Sequence, residues 1–333
     1  MTGTTAGERG IWPITLSDVH AARERLRPHL APTPLRTYAP LDERVGAGIR
    51  VLVKHENHQP TNAFKARNAL SAVLALGDEE RRRGVIAASK GNHGAALAWA
   101  ARMVGIPAVV CVPLSNNPEK NEAIRGHGAE LVEQGEDYDA SVAVAARLVA
   151  ERGMTLVHST DNPHVIAGAG TIGLEVLEQA PDVEAMVISV GGGSQAVGTI
   201  TVLRALKPGV PVYGVGAAAA PGTFDSWHAR ERRPASVGPT LADGLATRGG
   251  YDATFGALLE GLAGFVAVTE AEIAEAMRTI MVTTHNLVEG AGAAGLAGLM
   301  KLRDELAGKR VGIILSGANV DAATLRRVVN REI

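Results

Sequence analysis

The chain has 333 residues, of which 46% are hydrophobic, 20% are charged and 3% are aromatic, and this is enough material for two ordinary domains. The formal net charge is -2, and the only basic clusters are short patches of arginine, so we expect no nucleic-acid or membrane partner. The single cysteine, Cys111, excludes an intramolecular disulfide and a cysteine-clustered metal site. It lies in an apolar run, which predicts a buried thiol.

Two segments bear on localisation. The first twelve residues contain no apolar run of the length that a signal peptide needs. The apolar stretch from Glu289 to Met300 is too short, and too rich in glycine and alanine, to span a bilayer. We therefore expect a cytoplasmic protein without a membrane-spanning helix.

Short β-branched runs alternate with longer segments of helical period, a pattern typical of parallel strands joined by crossover helices. The fold class is therefore predicted to be α/β.

The segment from Asp137 to Arg152 has apolar side chains at positions 142, 145, 146 and 149, and Gly153 follows it as a stop signal, so this segment is predicted to be a helix. Gly216 to Gly250 shows little regular period and is predicted to be a functional loop. The predicted strands are Arg50 to Val53, Gly84 to Ala88, Ala108 to Val112, Ala129 to Glu133, Thr155 to His158, Ala185 to Val190, Val210 to Val215, Phe265 to Val268 and Arg310 to Leu315.

Lys65 is the first residue along the chain that is a candidate for chemistry. It lies just inside a predicted helix that Thr61 is placed to cap, and the adjacent Phe64 would partly shield its amine from water. Desolvation lowers the pKa of an amine, so that the amine can act as a nucleophile or a base. Taken alone, however, a lysine in a helix is far more often a surface residue.

The polar turn from Ser89 to Gly94 follows a predicted strand and opens a helix that runs to Val104. Ser89, Asn92 and the free N–H groups of the helix start form a donor set suited to a carboxylate or a phenolate oxygen. The alternative is that Ser89 or Asn92 only caps the helix. A similar strand and turn end at Ser316, where the residues alone favour a purely structural role.

Three consecutive glycines, Gly191 to Gly193, stand between a predicted strand and a helix that opens with Ser194. Glycines let the backbone turn tightly and direct its N–H groups at an anion such as a phosphate. The pattern also satisfies the loose dinucleotide fingerprint, but the acidic residue required about 20 positions further on is missing. A monophosphate is therefore favoured over a dinucleotide, and a plain structural turn is the other alternative. Because parallel strands end at one edge of a sheet, we expect these turns to form one shared site.

Taken together, these segments resemble the fold-type II enzymes that use pyridoxal 5′-phosphate (PLP), in the branch of threonine and serine dehydratases and serine racemase. The matches follow the family's order from about Thr33 to Asp321, so the resemblance implies the tryptophan-synthase-β-like two-domain fold. The matching motifs are Glu56-Asn57-His58-Gln59-Pro60-Thr61 with Ala63-Phe64-Lys65-x-Arg67, Ser89-x-Gly91-Asn92-His93-Gly94, Ile166-Ala167-Gly168-x-Gly170-Thr171, Gly191-Gly192-Gly193, Ala242-Asp243-Gly244 and Ser316-Gly317-x-Asn319.

The resemblance implies a role for each matched residue. Lys65 would hold PLP as a Schiff base and move protons at the substrate Cα, and Phe64 would lie beside the cofactor ring. Asn92 would bind the 3′-oxygen of the cofactor, and Ser316 would face its pyridine nitrogen. The phosphate would rest on Gly191, Gly192, Gly193 and Ser194, and the substrate carboxylate on Ser89, Asn92 and His93.

A serine at the pyridine nitrogen favours a neutral ring, which is a weaker electron sink than a protonated one and suits prompt β-elimination. The resemblance therefore implies an ammonia-lyase that removes water and ammonia from a small β-hydroxy amino acid, such as L-threonine or L-serine, to give a 2-oxo acid. A β-replacement synthase or an amino-acid racemase would use the same cofactor. A non-catalytic or dinucleotide-binding α/β protein is the alternative from another class.

Several positions depart from the family's pattern. Asn62 and Asn68 stand where small residues are usual, and Ala318 replaces a usual glycine. Lys90 lies where serine racemase has a second acid–base serine; we expect its side chain to point to solvent, the alternatives being that it reaches Cα or attracts an acidic side chain such as that of 3-hydroxyaspartate. No metal site is predicted, because Asp243 alone does not define the family's cation site and can simply cap a turn.

The resemblance also predicts the organisation of the protein. We expect a large PLP-binding domain made of residues 1–75 and 162–333 and a small domain made of residues 76–161, with PLP in the cleft between them. A homodimer is implied by the resemblance only. We expect no C-terminal regulatory domain, since few residues follow Ser316.

Overall fold

The structure, a computed structural model, describes residues 10–333. The expected lack of a signal peptide rests partly on residues 1–9, which lie outside the described residues. Across residues 10–333 no helix combines the length and the apolar character that a membrane crossing requires. The described chain forms two mainly parallel sheets flanked by helices, which confirms the predicted α/β class.

The larger sheet contains six strands: β1 (Leu35–Arg36), β2 (Arg50–Lys54), β7 (Ala185–Ser189), β8 (Val212–Ala217), β9 (Gly264–Val268) and β10 (Arg310–Ile314). Their order is β1-β2-β10-β7-β8-β9, and only β1 runs antiparallel to its neighbour. Strand β7 is buried along its whole length, as expected of a parallel strand covered on both faces. In the central register, Ile313 pairs with Val53 on one side and with Val187 on the other.

The smaller sheet contains four parallel strands: β3 (Val85–Ala88), β4 (Ala108–Val112), β5 (Glu130–Glu133) and β6 (Thr155–Leu156). Their order is β5-β4-β3-β6. Gly84, predicted to begin β3, lies directly before it. Its φ is +82° and a Cβ there would lie 2.4 Å from the carbonyl oxygen of Pro107, so this position requires glycine. All four strands come from residues 85–156, and the division of the chain into two domains stays a prediction.

Helices cover both sheets. The described region contains α1 (Leu16–Leu26), α2 (Ala39–Val45), α3 (Lys65–Leu74), α4 (Asp78–Arg83), α5 (Asn92–Val104), α6 (Pro118–Gly126), α7 (Tyr138–Arg152), α8 (Pro163–Gln179), α9 (Ser194–Leu206), α10 (Gly222–Ala229), α11 (Phe255–Gly261), α12 (Glu270–Thr284), α13 (Gly290–Lys301) and α14 (Ala322–Val329), together with short 3₁₀ helices at Glu56–His58 and Asp243–Leu245.

Helix α7 occurs where it was predicted, with the Asp137 side chain capping its start and Gly153 in the left-handed conformation at its end. The apolar positions that predicted this helix do not all lie on its buried side. Val142 is 43% exposed, whereas Val144 and Leu148 are buried in the core. Ala145 is also buried, and Val149 packs against the same core cluster, so the spacing identified the helix and part of its buried side.

The predicted loop from Gly216 to Gly250 is more regular than expected. It contains the end of β8, the helix α10 and the 3₁₀ helix Asp243–Leu245, so its interpretation as one irregular excursion was wrong. Cys111, by contrast, is fully buried in β4, as predicted.

Candidate active site

Helix α3 begins at Lys65, and no side chain caps it. Phe64 occupies the N-cap position in a helical conformation, and its main-chain N–H donates to the carbonyl oxygen of Ser316 at 2.9 Å. The predicted cap by Thr61 is wrong: the Thr61 hydroxyl is buried and has no hydrogen-bond partner within residues 10–333. The start of the helix is thus held by the main chain that follows β10, which brings Lys65 and Ser316 together.

The Lys65 amine is partly shielded from bulk water. Its Nζ donates to the main-chain carbonyl oxygen of Ser159 at 3.0 Å and lies 4.9 Å from the centroid of the Phe64 ring. Burial lowers the pKa of Lys65 to about 8. A substantial neutral fraction near neutral pH gives the amine the lone pair that a nucleophile or a base requires.

The three glycines after β7 form a cradle of unpaired main-chain donors. Helix α9 starts at Ser194, and Gly193 before it has a φ of +95°. Among the described residues, none accepts a hydrogen bond from a main-chain N–H between Gly191 and Ala196. Consecutive free N–H groups at the start of a helix form an anion site.

Close packing explains why the cradle is built from glycine. A Cβ at Gly192 would lie 2.2 Å from the Thr160 hydroxyl, and a Cβ at Gly191 would lie 2.2 Å from the carbonyl oxygen of Gly244. Thr160 follows Ser159, which binds the Lys65 amine. The loop after β6 therefore connects the lysine to the cradle, and the structure brings these two predicted parts of the site together.

Ser89 organises the turn before α5. Its hydroxyl oxygen accepts hydrogen bonds from the N–H groups of Gly91 at 3.3 Å and Gly94 at 2.9 Å. The main-chain N–H groups of Asn92 and His93 have no acceptor in the described part of the chain. The Ser89 hydroxyl donates in turn to the carbonyl oxygen of Gly91 at 3.5 Å, so the donors that the turn leaves free are the main-chain N–H groups of Asn92 and His93, a pair suited to a carboxylate.

The side chain of His93 has another partner. Its Nε2 lies 2.8 Å from the carbonyl oxygen of Val157 and therefore donates to it. Burial lowers the pKa of His93 to about 3, so the ring is neutral and its Nδ1 carries a lone pair. His93 can contribute to carboxylate binding through its main-chain N–H, and the role of its imidazole in that binding stays a prediction.

The side-chain amide of Asn92 forms hydrogen bonds through both its oxygen and its nitrogen. Its Oδ1 accepts from Asn319 at 2.7 Å, and its Nδ2 donates to Glu289 at 2.7 Å. One N–H of the amide is left for another acceptor. Asn319 belongs to a matching motif, and its contact with Asn92 joins the turns that follow β3 and β10.

Glu289 is a residue that the sequence reasoning missed. It precedes α13, and its main-chain N–H donates to the carbonyl oxygen of Gly317 at 3.0 Å. Burial raises the pKa of Glu289 to about 7. The signal available in the sequence was a single acidic residue directly before a helix rich in glycine and alanine.

Ser316 lies at the same sheet edge as the cradle. It is 5% exposed and follows β10, whose Ile313 pairs with Val187 of β7. Because β7 and β10 are parallel and paired in this register, the turns that follow Ser189 and Ile314 lie at the same edge of the sheet. The predicted residues of the large sheet are therefore neighbours, as the shared-site hypothesis requires.

A cavity of about 450 Å³ borders this site at Glu289 and Asn319. Lys90 also lines it and is exposed, with no ion-pair partner within the described residues. On the other side of the cavity, Asp243 forms an ion pair with Lys120 of α6. The carboxylate considered for a cation thus faces an ammonium group.

Four buried charges support the start of α3. Arg67 makes two hydrogen bonds to Glu56, at 2.7 and 2.9 Å, and two to Glu175 of α8, at 2.6 and 2.8 Å. Lys54 donates to Glu175 at 2.5 Å. All four side chains are at most 7% exposed. Paired and hydrogen-bonded in this way, the cluster has no net charge, and it fixes β2, α3 and α8 relative to each other.

A comparison with known families identifies the chain. The model of the PALP family, described as pyridoxal-phosphate dependent enzyme, matches residues 26–317. The chain belongs to this family. The predicted cofactor, PLP, is therefore confirmed.

The relatives of this PLP-dependent enzyme include lyases and a racemase. L-threonine ammonia-lyase of Thermotoga maritima is 37% identical over 318 residues, which cover 96% of this chain and 79% of that protein. L-threo-3-hydroxyaspartate ammonia-lyase of Saccharomyces cerevisiae is 34% identical over 307 residues, covering 92% and 94%. The structure of maize serine racemase superposes with a TM-score of 0.91 at 28% identity, covering 96% of this chain and 98% of that one. These comparisons confirm the predicted family branch and fold type.

The described residues fit PLP. The cofactor requires an amine for its aldehyde, donors for its phosphate and a donor for its 3′-oxygen. Lys65 offers an amine whose pKa is lowered by desolvation. The main-chain N–H groups of residues 191–196 are free, and the three glycines among these residues have no side chain that would block access to them. Asn92 has one side-chain N–H without an acceptor. The role of each residue toward the cofactor stays a prediction, because the family match concerns the chain as a whole.

Proposed function

We propose that this protein is a PLP-dependent ammonia-lyase that converts a small β-hydroxy amino acid, of the L-threonine or L-serine type, into a 2-oxo acid and ammonia. The observation that carries this proposal is the Lys65 amine, which is partly buried, bonded to Ser159 and connected to an anion cradle. The 37% identity to an L-threonine ammonia-lyase supports the same reaction.

Lys65 is the proposed base of the reaction. When bound, PLP supplies the electron withdrawal that makes the Cα–H bond of an amino acid acidic. The lowered pKa of Lys65, about 8, gives its amine a neutral fraction that accepts this proton near neutral pH. The Ser159 carbonyl and the Phe64 ring keep the amine at the site while it is unprotonated.

The turn before α5 orients the substrate in this proposal. The main-chain N–H groups of Asn92 and His93 bind the carboxylate. Ser89 holds the turn by accepting from the N–H groups of Gly91 and Gly94, and its hydroxyl, whose contact with the Gly91 carbonyl oxygen is long at 3.5 Å, rotates to donate to the carboxylate. Fixing the carboxylate in this way directs the Cα–H bond toward Lys65.

Asn92 and Ser316 set the electronic environment in this proposal. The free N–H of the Asn92 amide binds the 3′-oxygen, and Glu289 and Asn319 fix its direction. Ser316 presents a neutral hydroxyl to the pyridine nitrogen, which suits elimination better than a carboxylate would.

The experiment that tests the proposal measures 2-oxo acid formed from L-threonine, L-serine and L-threo-3-hydroxyaspartate by the purified protein. We expect turnover of at least one of them and an absorbance band near the visible edge. Both are expected to disappear in Lys65→Ala and to persist in the control Lys301→Ala, a variant of an exposed lysine on α13. A protein that binds PLP but forms no 2-oxo acid from any of the three would contradict the proposed reaction.

A racemase is the second candidate, and the TM-score of 0.91 to maize serine racemase supports it. Racemisation needs an acid–base group on the face of Cα opposite to Lys65, and Lys90 occupies the matching position. The exposed Lys90 side chain does not favour this role. Chiral chromatography of the remaining serine separates the two candidates: with a lyase the remaining serine is all in the L form, whereas a racemase converts part of it into D-serine.

We also propose, from the family resemblance, a homodimer that acts in the cytoplasm. Light scattering after size-exclusion chromatography tests the oligomeric state. The two-domain division proposed above, with residues 76–161 as the small domain, is tested by limited proteolysis at the predicted boundaries.

A further inference from the structure

Asn68 is buried beside the phosphate cradle and departs from the residue types usual at its position. It is 0% exposed and lies on α3, three residues after Lys65. Residues three apart on a helix project from the same face. Asn68 therefore lies on the face of α3 that carries the reactive amine.

The Asn68 amide contacts the cradle through Ser194. Its Nδ2 lies 3.3 Å from the Ser194 hydroxyl oxygen, and Ser194 is the first residue of α9, among the main-chain donors that have no protein acceptor. Because Nδ2 donates to this oxygen, the hydroxyl proton of Ser194 is directed away from Asn68 and is free to donate to an anion.

The rest of the Asn68 amide has no partner. Its Oδ1 is fully buried and unbonded among residues 10–333. Of the two N–H groups of the planar amide, one donates to Ser194 and the other has no protein acceptor within the same residues. A buried N–H without an acceptor costs free energy, and a phosphate oxygen is an acceptor that can pair with it.

Other side chains at the cradle are already engaged. Thr254 donates its hydroxyl to the Gly192 carbonyl oxygen at 2.6 Å, and Thr223 donates to that of Gly191 at 3.2 Å. Both hydroxyls support the cradle's main chain, and both side chains are neutral. An uncommitted neutral donor beside these residues adds to phosphate binding without introducing a charge.

We propose that Asn68 is a phosphate-binding residue of this chain, which donates its side-chain amide to the cofactor phosphate and orients the Ser194 hydroxyl toward the same group. This assignment rests on the proposed function only through the use of PLP. It goes beyond the three-glycine cradle, which uses main-chain donors alone.

The test compares two ligands that differ only in the phosphate. Dissociation constants of PLP and of pyridoxal are measured by absorbance titration of the full-length protein after removal of bound cofactor. We expect Asn68→Ala to weaken PLP binding by about tenfold, the effect of one hydrogen bond to a charged acceptor, and to leave pyridoxal binding within about twofold of the wild type. Asn68→Asp places a carboxylate near the phosphate and should weaken PLP binding further.

A double-mutant cycle tests the link to Ser194. If Asn68 orients the Ser194 hydroxyl, the losses in PLP affinity caused by Asn68→Ala and Ser194→Ala are not additive, and the double variant loses less than the product of the two effects. Additive losses would restrict the role of Asn68 to a direct contact and overturn the second half of the proposal.

A matched control and a conservative variant separate binding from packing. Ser71→Ala removes another buried, unpartnered polar atom of α3 that packs near Gly168 instead of the cradle, and it should change neither dissociation constant. Asn68→Ser provides a small polar residue of the type usual at this position in the family and keeps the variant foldable. Equal weakening of PLP and pyridoxal binding, or no weakening of PLP binding in Asn68→Ala and Asn68→Asp, would overturn the proposal. A wild-type protein that binds PLP without forming 2-oxo acid would contradict the proposed function and leave this inference intact.

Discussion

The amine of Lys65 donates a hydrogen bond to the main-chain carbonyl oxygen of Ser159, 3.0 Å away. The next residue, Thr160, packs against Gly192 so closely that a side chain there would overlap its hydroxyl. One short loop therefore contacts both the reactive amine and the cradle. Changes at either end of this loop are expected to affect binding of the same cofactor.

We expect the rate at which the cofactor-free protein captures PLP to rise with pH and to level off above about pH 8. Burial lowers the pKa of Lys65 to about 8, and only the neutral amine attacks an aldehyde, so the reactive fraction grows as the pH rises through this value. Stopped-flow absorbance measures the rate. A rate that still climbs up to about pH 10 would show that the amine titrates like an ordinary lysine.

We expect Gly192→Ala to weaken PLP binding by more than about tenfold. The new Cβ would lie 2.2 Å from the Thr160 hydroxyl, so the loop that holds Lys65, the cradle or both must move. Absorbance titration measures the dissociation constant. Gly209→Ala is the control, because a Cβ at Gly209 meets no atom within 4 Å; equal affinities of the two variants would contradict the prediction.

We expect two variants of the buried charge cluster to shift the pH dependence of PLP capture in opposite directions. Glu175→Gln leaves the cluster with one net positive charge, which lowers the pKa of Lys65. Lys54→Met leaves one net negative charge, which raises it. A unit charge about 10 Å away in a medium with an effective dielectric constant of about 20 shifts a pKa by about one unit, and shifts of this size are expected here. The measurement is the midpoint of the capture rate against pH.

The control for these variants is Glu260→Gln, which removes one charge from an exposed ion pair with Arg204. Surface ion pairs contribute little, so its midpoint should equal that of the wild type. Midpoints that move in the same direction in both cluster variants would indicate a loss of structure, and the electrostatic explanation would be wrong.

We expect Glu289→Gln to become more stable relative to the wild type as the pH rises. Burial raises the pKa of Glu289 to about 7 from its ordinary value of 4.5, so ionising this carboxyl costs folding free energy. That cost is absent below about pH 4.5, grows as the pH rises and is complete above about pH 7, where it amounts to about 3 kcal/mol. Urea unfolding at about pH 5 and pH 8 measures the difference. The exposed variant Glu151→Gln should show no such trend, and a difference for Glu289→Gln that does not change with pH would contradict this prediction.

The sequence predicted most strands, because buried parallel strands are short apolar runs separated by clear helices. Strand β1 was missed, since its two residues, Leu35 and Arg36, carry no pattern. The start of α3 was predicted incorrectly for a related reason. Thr61 has the residue type of a cap, but the contact that holds this helix, between Phe64 and Ser316, joins positions more than 250 residues apart.

The parts of the candidate site that bind through main-chain N–H groups were predictable from the sequence. Three glycines directly before a helix predict an anion site from the sequence alone. Glu289, Ser159 and Thr160 were missed because their proximity to Asn92, Lys65 and Gly192 arises from how the two sheets face each other. The orientation of the His93 ring was equally beyond sequence reasoning, since it depends on the carbonyl of Val157.

Lys65 is also the first residue of α3, and this position has an electrostatic consequence of its own. The aligned peptide dipoles of an α-helix place a partial positive charge at its amino end. An ammonium group there is disfavoured, and its deprotonated form is correspondingly favoured. The helix that carries the nucleophile therefore helps to keep it uncharged, and a helix lengthened by one turn before Lys65 would reduce this contribution.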